Sequence, residues 1–178
     1  MAVLIEAVSI VILLSSIERK YPGGWDAFER AVPNQTLTSD DELVRVGFMV
    51  YSDAVHFLDK LQGQGLVFLQ DGLAIDIAVA DQLKGLHVEC SWLEFGRCEL
   101  DESGKQVVSA CRLAGSQADG LAVPHKWSFE ESLSNTYCYA PDGDLSKGMK
   151  FLRHEDGVDV YLSELTGEEV YVGRTSEI

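Results

Sequence analysis

Basic residues are scarce. The chain has 178 residues, of which 14 are lysine or arginine and 29 are aspartate or glutamate, a net charge of −15. No run of cations longer than Arg19-Lys20 occurs. Nucleic-acid phosphates and anionic lipid both need an electropositive face, so neither is an expected partner. Long apolar runs are missing too. Ala2 to Leu14 is shorter than the roughly 20 residues of a membrane-spanning helix and is interrupted by Glu6 and Ser9. No basic segment precedes it, as a secretory signal requires, which makes the cytoplasm the expected location. The four cysteines, Cys90, Cys98, Cys111 and Cys138, form no C-x-x-C pair and stand near no histidine at zinc-site spacing. Free thiols are expected, with no metal and no cofactor. H-E-x-x-H and G-x-S-x-G are also absent.

What is present is a chain that is 46% hydrophobic and 24% charged, enough for a substantial core. Ala2–Leu14 has apolar residues at both parities and reads as one central strand, covered on both faces. Ser15 and Ser16 offer capping hydroxyls for a helix around Ile17–Tyr21, which Pro22-Gly23-Gly24 must break. Trp25, Phe28 and Val32 then mark one face of a second helix. Asn34–Glu42 reads as a loop. Leu43–Tyr51 reads as a strand with Val44, Val46, Phe48 and Val50 toward the core. Ser52 is the expected cap of a third helix, whose apolar stripe is Ala54, Phe57, Leu58 and Leu61. Gly63 or Gly65 ends it, so Gly63-Gln64-Gly65 is a helix stop and not a phosphate loop.

Asp71-Gly72 between apolar runs signals a hairpin turn that needs two left-handed residues. Cys90–Leu100 and Lys105–Ala114 read as a second hairpin, Gly115–Pro124 as a loop, and Trp127–Leu133 as a strand. Asn135–Gly148 reads as irregular, with Asp142-Gly143-Asp144 a turn. Met149–His154, Val158–Ser163 and Glu169–Arg174 read as a three-stranded meander. The fold class is therefore α+β: a mainly antiparallel sheet covered by two helices in the N-terminal half, then β-hairpins and the C-terminal three-stranded meander. One domain is expected over 1–178, with lobes at 1–98 and 99–178. In element order alone, Leu43 to Gly96 is similar to the β-α-β-β-β module of glyoxalase-type metal enzymes.

Three carboxylates stand inside apolar strands: Glu6, Asp76 and Glu94. A buried carboxylate without a partner is costly, so such residues gather at sites. If they converge, they make an acid–base pair or hold a cation, and Trp92, on the face of Glu94, adds a stacking platform. If they do not, pairing with Arg45 or Arg97 is the structural alternative. His87, close to Glu89 and Cys90, would need a third ligand from far along the chain to hold a metal, so it reads, like His56, His125 and His154, as a surface or turn histidine.

The acidic excess grows along the chain, from 7 acids against 4 bases in residues 1–50 to 15 against 7 in residues 99–178. The leading functional expectation is a non-catalytic interaction protein. Its acidic strands would engage a basic protein partner through Asp159, Tyr161, Glu164 and Glu168, much as small immunity or inhibitor proteins do. The alternative is a small-molecule site or enzyme built on Glu6, Asp76, Trp92 and Glu94.

Overall fold

The computed structural model describes residues 1–100, 106–117, 119–136, 149–155, 158–163 and 169–173. It is α+β with mostly antiparallel sheets. The apolar segment at the N-terminus is two strands rather than one. Strand β1 (Ala2–Ile5) and strand β2 (Val8–Leu13) are separated at Ala7, whose φ of 48° is a left-handed conformation uncommon for a residue with a side chain. Gln82 holds this corner from both sides: its Oε1 accepts from the Ala7 N–H at 2.9 Å, and its own N–H donates to the Ala7 carbonyl at 2.9 Å.

Helix α1 (Leu14–Lys20) follows directly, so Ser15 and Ser16 lie inside it rather than capping it. Gly23, at φ 84°, is the N-cap of α2 (Gly24–Ala31) and separates the two helices. A two-residue strand β3 (Thr38–Ser39) interrupts the expected loop. Strand β4 (Leu43–Phe48) leads into α3 (Tyr51–Gly63). Val50 occupies the N-cap of α3, and Ser52 makes no capping bond. The expected stripe of α3, Ala54, Phe57, Leu58 and Leu61, is buried. Its stop is a glycine-terminated turn. Gly65, at φ 99°, donates to Gln62 O, and Leu66 N–H reaches back to Leu61 O.

Strands β5 (Leu69–Gln70) and β6 (Leu73–Ala74) form the expected hairpin, with Asp71 at φ 53° and Gly72 at φ 82°. Then come β7 (Ile77–Asp81) and β8 (Gly85–Leu86). The hairpin of β9 (Leu93–Glu99) and β10 (Val107–Leu113) is also as expected, and it straddles residue 98. Strand β11 (Leu121–Ala122) falls where only loop was expected and runs parallel to β1. Trp127–Leu133 is not a strand; instead a short helix α4 covers Leu133–Thr136. The meander is present as β12 (Met149–Glu155), β13 (Val158–Ser163) and β14 (Glu169–Gly173), with a register irregularity between Phe151 and Arg153. Asp142-Gly143-Asp144 lies outside the described residues.

Three layers result. The five-stranded sheet has the order β3-β4-β2-β7-β8, with β2 in its centre. One of its faces, carrying Ile10, Ile12, Val44, Val46 and Val79, packs on three helices rather than the expected two: on Ile17 of α1, Phe28 of α2, and Phe57 and Leu61 of α3. The other face, with Val11, Leu43 and Ala78, meets Val3, Ile5, Leu93 and Cys111 of a four-stranded sheet ordered β11-β1-β10-β9. A sheet enclosed on both sides has no polar face, so both parities of β2 and β4 are buried, not only that of Val44. The Leu43–Gly96 module does not form a sheet of its own. Strands β4 and β7 both pair with β2, and β9 belongs to the other sheet. Among the described residues Cys90, Cys98 and Cys111 are free thiols, and no helix is long and apolar enough to cross a membrane.

Candidate functional site

The three strand carboxylates do not meet. Glu6 and Asp76 lie at opposite ends of β2, about 17 Å apart along a strand of that length. Each is consumed locally. Glu6 sits at the corner between β1 and β2, where it accepts from the Ser134 hydroxyl at 2.6 Å, the Ser134 N–H at 2.9 Å and the Trp127 indole N–H at 3.2 Å. It thereby ties the segment before and into α4 to the sheet corner. Asp76 lies between β6 and β7 and is buried. It accepts from Lys20 Nζ at 2.6 and 2.9 Å, from the Ser16 hydroxyl at 2.7 Å and from the Val67 N–H at 2.8 Å. Burial raises the pKa of this carboxyl, but the bonds from Lys20, Ser16 and Val67 outweigh it and hold it below the usual range. Its partner is therefore Lys20, not Arg45 or Arg97.

Glu94 is exposed and paired with Arg112 at 2.8 Å, which holds its carboxyl below the usual range. Trp92 precedes β9, donates its indole N–H to Ala74 O at 3.0 Å and packs at the rim of the core between the sheets.

Arg45 is fully buried between the layers without a carboxylate at hydrogen-bonding distance among the described residues. Its guanidinium donates to Ser9 Oγ at 2.9 Å, Glu6 O at 2.9 Å and Thr36 O at 3.3 Å. Desolvation pulls its pKa down to about 10, opposed chiefly by the charge of Glu6, so it remains a cation at neutral pH. This network braces the Ala7 corner and leaves no free donor facing solvent.

His87 is half-buried rather than a surface residue. Its ring stacks on Tyr51 with centroids 5.9 Å apart and planes at 15°. No group of three or more His, Cys, Asp or Glu side chains able to hold a metal occurs among the described residues.

A place that the sequence reading passed over lies between α2, the end of β4 and α3. It is a cleft of about 340 Å³. Phe48 and Phe57 form its floor, their ring centroids 5.5 Å apart. Pro33 and Asn34 make one wall. Asp53, His56 and Lys60 border it from α3. The spacing 53, 56, 57, 60 was readable as one helix face, but in sequence it looked like an ordinary solvated edge beside a core stripe. No known protein family, curated protein or solved structure matches this chain. Its site must therefore be read from its own geometry.

Of the expected partner surface, Asp159 and Tyr161 fall on β13, the middle strand of the meander, opposite His154 and Phe151 of β12. Glu164 and Glu168 lie outside the described residues.

Proposed function

We propose that this chain is a non-catalytic binding protein that engages a basic protein partner through its acidic C-terminal strands. One observation carries the reading. Val160 is fully buried in β13, and Asp159 and Tyr161 are the positions of opposite parity on either side of it. In this reading the partner engages the parity of Asp159 and Tyr161, in the most acidic part of the chain. The charge of −15 favours fast encounter with a cationic surface. Nucleic acid and anionic lipid are disfavoured by the same charge.

The test is a pull-down with the wild type and with a variant carrying Asp159→Lys, Glu164→Lys and Glu168→Lys, each at low and moderate salt. A partner held by charge is lost in the variant and weakened by salt, since exposed charges are screened over about 10 Å at 0.1 M. Retention of the same proteins by both forms at both salts refutes the reading.

A further inference from the structure

The cleft beside α3 is polarised along its length. Residues 53, 56, 57 and 60 share one face of the helix, and Asp53 and Lys60 are seven residues apart, roughly 10 Å along the axis. The ammonium of the exposed Lys60 lies at one end, donating to Ala31 O at 3.0 Å, where the last carbonyls of α2 lack partners within their own helix. It has two further N–H groups to offer. At the other end, the carboxylate of Asp53 and, one turn along, the imidazole of His56 make no side-chain hydrogen bond among the described residues. Between the two ends lie the buried rings of Phe48 and Phe57.

A cation, an anion and an aromatic floor in line form the complement of one kind of small molecule. We propose that this cleft binds a zwitterion whose ammonium and carboxylate are separated by an apolar spacer carrying an aromatic ring. The ammonium faces Asp53, the carboxylate faces Lys60, and the ring lies over Phe48 and Phe57. The volume is within the range of sites that enclose small ligands. Two sources share this chemistry: an aromatic ω-amino acid, and a tripeptide with a central aromatic residue, whose extended length is also roughly 10 Å. The site is separate from the acidic strands discussed above, and either can fail alone.

The experiment is titration of the full chain, followed by the amide signals of α3 and the ring signals of Phe48 and Phe57 in NMR spectra. The probes are 4-(2-aminoethyl)benzoate and Gly-Phe-Gly. Phenethylamine and 3-phenylpropionate carry one charge each, and phenylalanine carries both on a single carbon. At least one of the first two is expected to bind about tenfold or more tighter than any control, a difference of about 1.4 kcal/mol. Whichever binds better identifies the source. Asp53→Asn and Lys60→Met should each reduce that ligand to the level of the controls, while Asp59→Asn, on the same helix but outside the cleft, leaves it unchanged. The proposal is overturned if neither zwitterion shifts these signals at millimolar concentration, if phenethylamine binds as tightly, or if Asp53→Asn and Lys60→Met leave the affinity as it was. Circular dichroism of each variant establishes that the fold is kept.

Discussion

Arg45 occupies the space that a side chain on Gly47 would need: a Cβ at Gly47 would stand 2.6 Å from Cζ of the guanidinium. The two residues share a parity on β4, and the guanidinium cannot swing aside without breaking its bonds to Ser9, Thr36 and Glu6. Gly47→Ala is therefore expected to destabilise the protein by about 1–3 kcal/mol, the usual cost of overfilling a packed interior. Urea unfolding measures this. Combining the change with Arg45→Met should recover much of the loss attributable to the clash, since neighbouring substitutions couple. An unchanged urea midpoint for Gly47→Ala would show that the guanidinium yields freely.

Asp76 gives a stability term with a definite pH window. Its folded-state pKa lies below the unfolded value near 3.9. The carboxylate therefore stabilises the fold above about pH 3.9, and that contribution disappears as pH falls through the lower folded value. Asp76→Asn should cost about 2 kcal/mol at neutral pH, in the range for hydrogen bonds to a charged group. The difference from wild type should shrink below about pH 4. A gap that stays constant down to strong acid would contradict this account.

His87 acts at milder pH. Burial lowers its pKa, Asp81 opposes this, and Lys84 adds to it, while Nε2 is buried without a hydrogen bond among the described residues. The neutral ring is favoured in the fold, and the unfolded chain takes up a proton near pH 6.5. The stabilisation is complete above that value and declines as pH falls toward the folded-state pKa. The imidazole signals of His87 should titrate below about 6.5, and His87→Phe should remove this part of the pH dependence of stability. Titration at or above the ordinary value would refute the assignment.

Local signals were legible where they were self-contained. The α3 stripe, the Asp71-Gly72 turn, the β9–β10 hairpin and the meander each depend on neighbours in sequence, and each was readable. The corner at Ala7 was not. It carries no glycine, proline or asparagine, and its conformation is imposed from Gln82, 75 residues away. Periodicity gave no help there, because β1 and β2 are buried on both faces and alternate nothing. The same long-range dependence hid the site chemistry. Asp76 was recognisable as an unusual residue in an apolar stretch, but its partner Lys20 comes from a helix 56 residues earlier. Glu6 likewise takes Ser134 from 128 residues later.

The Ala7 corner also sets an order of assembly. Strand β2 finds both neighbours, β4 and β7, by residue 81, by which point the covering helices α1 to α3 have also been made. Strand β1 has to wait for β10, since Val3 pairs with Cys111 and Ile5 with Ser109. During synthesis the helix-covered sheet is therefore complete in sequence while β1, whose Val3, Leu4 and Ile5 are fully buried in the end, still lacks its partner strand β10. An apolar strand left unpaired in this interval is a template for other chains. That interval runs from the synthesis of β7 to that of β10, 26 residues later.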